Sequence, residues 1–167
     1  PLTVINYILL GGAAGFTLAT LFAAYAAPAL TGFFGGWAVI ITLFGLTGRA
    51  ASLLRNASLN PRSSLQTAIG VKHPRIVQKS KGFMGDSFNT REFFHGQTPT
   101  LLRSIKWLFL LGTFALPVVF LAIGMATAST TALLLAFVVQ YVGLMAERWF
   151  FFAQANHPQN LYYQAIS

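Results

Sequence analysis

The chain has 167 residues, 55% of them hydrophobic and 8% charged, with a formal net charge of +8. A soluble domain carries roughly 25% charged residues, so this chain folded in water would be left with a largely apolar surface. It holds no cysteine, which excludes disulfides, thiolate zinc sites and Cys-held iron–sulfur clusters within these residues.

The charge is not spread along the chain. Ten of the eleven Lys and Arg residues lie between Arg49 and Lys106, and Arg148 is the other. A basic stretch between two apolar halves is the pattern of a membrane protein. Such stretches face the cytoplasm and anionic headgroups. The flanking apolar runs argue against a nucleic-acid partner.

The chain opens on Pro1, and an apolar run begins at once, without a basic leader or a clear small-residue cleavage site. We expect a fragment of a longer protein. The first span is expected over 3–27, long enough for a hydrocarbon layer that needs about 20 helical residues. Gly11 and Gly15 have a small-xxx-small spacing, which predicts close approach of another helix. Pro28 cannot continue the hydrogen-bond ladder before it. A second span is expected over 32–54, with Trp37 near its outer end and Arg49 at its inner end, snorkelling to the headgroups.

A polar, basic loop is expected over 55–98. Ser63 or Ser64 can cap a short helical turn that ends at Gly70. His73-Pro74 forces an extended stretch. Gly82 to Gly85 reads as a turn, and Asn89 or Thr90 can cap another that carries Phe93 and Phe94. With Phe83 and Phe88, these aromatics suit a headgroup layer or a docking surface for another subunit.

A third span is expected over 99–126. Thr98 is its cap, Pro99 suits the first helical position, and Trp107 anchors the interface. Pro117 removes one mid-span hydrogen bond and should kink the helix, with a neighbour or a Ser/Thr side chain satisfying the freed carbonyl. The fourth span is expected over 130–152, with Gln140 and Tyr141 near its middle and Glu147-Arg148 near its end. A polar tail, 154–167, follows. The two short turns carry no Lys or Arg, so the positive-inside rule places the long loop and both ends of the chain in the cytoplasm. The expected fold is an all-α membrane protein: two transmembrane hairpins, 1–54 and 99–153, joined by a long basic loop.

The chemistry is constrained by what the spans lack. His73, His95 and His157 all lie outside them, so no haem is expected between helices. Asp86, Glu92 and Glu147 are too few acids for a hard-metal cage. No metal site and no catalytic residue is expected in this chain. The ionisable pair at membrane depth is Glu147 and Arg148. Neighbours on a helix point about 100° apart, so each needs a partner on another helix. Spans two and four run in the same direction, which brings Arg49 to the depth of Glu147. An Arg49–Glu147 ion pair is one reading. The other makes Glu147 a proton acceptor beside a quinol headgroup, with Gln140 and Arg148 as further quinol-binding candidates. Gln140 also suits polar glue between helices.

Three strings carry a family resemblance. The loop strings are Ser63-Ser64-Leu65-Gln66-Thr67-Ala68-Ile69-Gly70-Val71-Lys72-His73-Pro74-Arg75-Ile76-Val77-Gln78-Lys79-Ser80 and Ser87-Phe88-Asn89-Thr90-Arg91-Glu92-Phe93-Phe94-His95-Gly96. The ending is Ala146-Glu147-Arg148-Trp149-Phe150-Phe151-Phe152-Ala153. Together they resemble the C-terminal half of the membrane anchor subunit of bacterial dimethyl sulfoxide reductases. The resemblance implies a haem-free anchor in the bacterial inner membrane, under an iron–sulfur subunit and a molybdopterin catalytic subunit. It implies oxidation of menaquinol, with electrons passed to the iron–sulfur partner in anaerobic respiration. The quinol-binding residues of that family belong mainly to the other half and are not carried over. Two alternatives stand beside this reading. One is a purely structural anchor without a quinol site in this half. The other is a small transporter or channel, which would need polar faces on two or more spans near mid-membrane.

Overall fold

A computed structural model describes residues 2–58, 66–67, 70, 72–73 and 98–153. They form helices, with no strand among the described residues. Helix α1 is Leu2–Ala26, and a 3-10 turn at Pro28–Leu30 leads into α2, Thr31–Ser58. The third span begins as α3, Pro99–Leu110, passes through a π-helical segment at Leu111–Ala115, and ends as α4, Leu116–Thr127. Helix α5 is Thr130–Ala153. Four stretches are long and apolar enough to cross a membrane: Leu2–Ala26, Pro28–Ser58, Thr100–Thr127 and Thr130–Ala153.

Local chemistry sets the ends of these helices. Pro28 stops α1 and starts the 3-10 turn, which Leu30 N–H closes on the Ala27 carbonyl at 2.9 Å. Thr98 caps α3: its hydroxyl accepts from Leu101 N–H at 3.3 Å, with Pro99 in the first position, where its missing N–H costs nothing. Ala128 takes the left-handed conformation, φ 52°, and ends α4. Ser129 N–H then reaches back to the Gly124 carbonyl at 3.0 Å, and the Ser129 hydroxyl accepts from Ala132 N–H at 3.3 Å to cap α5.

Residues 1–58 and 105–147 pack as one compact unit. At its turn-side end the core is apolar: Ala38, Leu121, Leu133 and Ala136, with Phe16, Phe120 and Met125 against them. Large apolar side chains such as Ile8, Phe22, Phe44 and Val142 face outward, as helix faces in contact with lipid do. Buried Thr17 and Thr20 return their hydroxyl protons to the carbonyls of Ala13 and Phe16 at 2.9 and 2.7 Å, and so leave no unpaired donor. The second unit, 59–104 and 148–167, is described here only at the start of α3 and the end of α5, apart from isolated positions.

Four sequence expectations change. Helix α2 continues past 54 to Ser58, so Arg55 to Ser58 are helical and not loop. Arg49 does not snorkel; it is 2% exposed. Gly11 and Gly15 face open space, with nothing within 4 Å of a Cβ at either position, so their spacing packs no helix of the described chain. The irregularity expected at Pro117 takes the form of the π segment just before it, where Leu116 N–H bonds five residues back to the Leu111 carbonyl. The expected turns at 63–70, 82–85 and 89–94, the four loop phenylalanines and the tail 154–167 lie outside the described residues, apart from isolated positions.

Candidate functional site

Polar side chains are rare in the spans, and the buried ones gather in layers between helices. Helices α2 and α5 run in the same direction, because each enters from a short turn. At 1.5 Å per residue, Arg49 lies about 27 Å along α2 and Glu147 about 26 Å along α5. The two side chains therefore meet at one level. Arg49 Nε is 2.8 Å from Glu147 Oε1, and both side chains are sealed from the surface, at 2% and 1% exposure. The guanidinium also lies over the ring of Phe109, 5.4 Å from its centre. A single buried charge at this depth is costly, and a facing pair cancels it.

Two turns nearer the connecting turns, a neutral layer is built around Gln140, which is fully buried. Its Nε2 donates to Thr42 Oγ1 at 3.2 Å and to the Thr113 carbonyl at 3.4 Å. The second bond has a specific cause. In α-helical register the carbonyl of Thr113 would take its hydrogen bond from residue 117, and Pro117 has no N–H to give it. Gln140 supplies that donor from α5. Thr42 passes its own proton to the Ala38 carbonyl at 2.6 Å.

Between the two layers the backbones touch. A Cβ on Gly143 would lie 2.5 Å from the Gly112 carbonyl carbon and from Thr113 N. Glycine at 143 therefore lets α5 rest on the π segment. On the loop side of the bundle, Asn6 of α1 donates to Ser52 Oγ at 2.8 Å and to the Gly48 carbonyl at 3.4 Å, which ties α1 to α2.

The structure brings Arg49 and Glu147 together and places Gln140 in a separate layer. Arg148, the third candidate, follows Glu147 on α5. It is half-buried, with its guanidinium 5.7 Å from the ring centre of Phe151. Sequence reasoning missed Asn6, Thr42, Thr113, Gly112 and Gly143. Two signals were available. Asn6 is the amide in an otherwise apolar first span, and Thr42 precedes Arg49 by seven residues, which puts both on one helix face. Among the described residues no group of three His, Asp or Glu is arranged to hold a metal.

The chain is similar over its whole length to a subunit of the sulfite dehydrogenase of Allochromatium vinosum, at 50% identity over 167 residues. It spans about half the length of that relative, 51%. No family model matches the chain, and no solved structure matches it.

Proposed function

We propose that this chain is part of the membrane-embedded subunit of a multi-subunit oxidoreductase, and that the whole subunit exchanges electrons with a quinone in the membrane. The observation that carries this is the coincidence of four membrane-length helices with 50% identity, across all 167 residues, to a subunit of a sulfite dehydrogenase. These 167 residues hold no thiolate for a cluster, and in this reading the redox centres lie outside them. An iron–sulfur subunit and a molybdopterin catalytic subunit are the partners that the dimethyl sulfoxide reductase resemblance implies. The long basic loop faces the cytoplasm of a bacterial inner membrane in this reading, by the positive-inside rule.

The direction of electron flow depends on the partner. An anchor like those of the dimethyl sulfoxide reductases oxidises menaquinol. A sulfite dehydrogenase takes two electrons from sulfite: sulfite plus water gives sulfate, two protons and two electrons, and a quinone with two electrons and two protons gives quinol. The relative favours the second direction. Within this half, Arg49, Glu147 and Gln140 lock helices, since their buried side chains are engaged with one another and with neighbouring helices. Arg148 is the quinone candidate with exposed surface.

Deleting the full-length subunit tests the anchor role. Sulfite-dependent dye reduction is expected to move from the membrane to the soluble fraction and to lose its link to quinone. Activity that stays membrane-bound without the subunit would refute the reading.

A further inference from the structure

The orientation of the Gln140 amide is fixed by its partners. Thr42 gives its only hydroxyl proton to the Ala38 carbonyl, so its oxygen can only accept. The Thr113 carbonyl can only accept as well. Both need the NH2 end of Gln140, and both receive it. The carbonyl end, Oε1, is therefore an acceptor, and no donor among the described residues reaches it. Thr113 Oγ1, on the residue whose carbonyl Gln140 meets, is buried against Gly143, 2.7 Å from where a Cβ there would lie, and also has no hydrogen-bond partner among the described residues. These are two lone oxygens on facing helices, half-way along their spans. Buried polar atoms are nearly always paired, because leaving one unpaired in an apolar interior is costly.

We propose that an ordered water molecule is bound in this layer, donating a hydrogen bond to Gln140 Oε1 and accepting one from the Thr113 hydroxyl. The chemistry of the site asks for a small molecule that both donates and accepts. Gln140 has no exposed surface and Thr113 has 1%, so a side chain from outside cannot reach the layer without parting the helices. A buried water needs two or more polar partners, and these two oxygens offer one acceptor and one donor. The inference does not depend on the proposed redox role. It concerns the layer that completes the third span beside Pro117.

Two measurements on the full-length subunit in its complex test it. A density map that resolves buried waters should show a peak about 2.6–3.2 Å from Gln140 Oε1. Thr113→Val keeps the side-chain shape and removes the hydroxyl. If the hydroxyl holds the water, the variant should melt at a lower temperature than the parent, because a hydrogen bond is lost. If the hydroxyl is truly unpaired, removing it relieves the buried polar atom, and Thr113→Val should melt at the same temperature or higher. That result overturns the proposal, as does a map in which a protein donor occupies the position.

Discussion

Pro117 and Gln140 lie on different helices, and the second provides the hydrogen bond that the first cannot make. In α-helical register residue 117 would donate to the Thr113 carbonyl; Pro117 cannot, and Gln140 Nε2 donates to it at 3.4 Å. Gln140→Leu is expected to destabilise the full-length subunit by about 1–3 kcal/mol, the cost of stranding a buried acceptor. Pro117→Ala restores an N–H four residues after Thr113, so it should recover part of that loss. A double-mutant cycle read by thermal melting in detergent should give a coupling of roughly 0.5–3 kcal/mol. Additive effects would show that the two residues act separately.

The buried ion pair makes a second prediction. Arg49→Met alone takes the guanidinium away from a buried, charged Glu147, and should cost about 3–5 kcal/mol. Replacing both together, Arg49→Met with Glu147→Leu, should be close to neutral, since an apolar pair of similar volume removes the desolvation penalty along with the attraction. Chemical or thermal denaturation of the three variants checks this. A double variant as unstable as the single would mean that the pair contributes something beyond mutual neutralisation.

Glu147→Gln separates locking from proton transfer. The carboxamide keeps the shape and a hydrogen bond to Arg49 but cannot carry a proton. We expect quinone-linked turnover per folded complex to be retained, because Glu147 is enclosed by Arg49 and the surrounding helices. Turnover lost at unchanged stability and unchanged complex yield would assign Glu147 to the proton chemistry.

Two glycines should behave oppositely. At Gly143 a methyl would lie 2.5 Å from the backbone of Gly112 and Thr113, so Gly143→Ala must push α5 off the π segment and should be strongly destabilising. At Gly11 a methyl meets nothing within 4 Å, and Gly11→Ala should leave this bundle intact or firm up α1 by about 0.5–1 kcal/mol. Melting temperatures of the two variants in the same detergent settle the contrast.

Much of this was legible in the sequence, for identifiable reasons. Apolar runs of membrane length report spans directly, and Thr98-Pro99 marks a helix start because each residue has one strong local role. Counting 1.5 Å per residue along two parallel helices is enough to bring Arg49 level with Glu147. Three features were hidden. The burial of Arg49 depends on Phe109, whose ring covers the guanidinium from another span. The π segment depends on one extra residue per turn, which no side-chain pattern announces. The contact of Gly143 with Gly112 depends on how α5 crosses the third span, and Gly11 with Gly15 looks equally suitable by spacing alone yet faces outward.

Topology can be read chemically, because this stretch has no native cysteine to confuse the label. A single cysteine at Ser64, in the basic loop, should resist a membrane-impermeant maleimide applied to spheroplasts and react once the cells are broken. A cysteine at Ser129, in the turn between α4 and α5, should react from outside. The reverse pattern would invert the bundle in the membrane.

Purification tests whether this chain belongs to the membrane subunit of an oxidoreductase complex that trades electrons with quinone. The most direct measurement is purification of the tagged full-length subunit from membranes in mild detergent, followed by a turnover assay with sulfite and a short-chain quinone. Partner subunits bearing redox metals should elute in fixed ratio with it, and the eluate should reduce the quinone. A subunit that leaves the membrane alone, with no metal and no quinone reduction in any fraction containing it, would refute membership in such a complex.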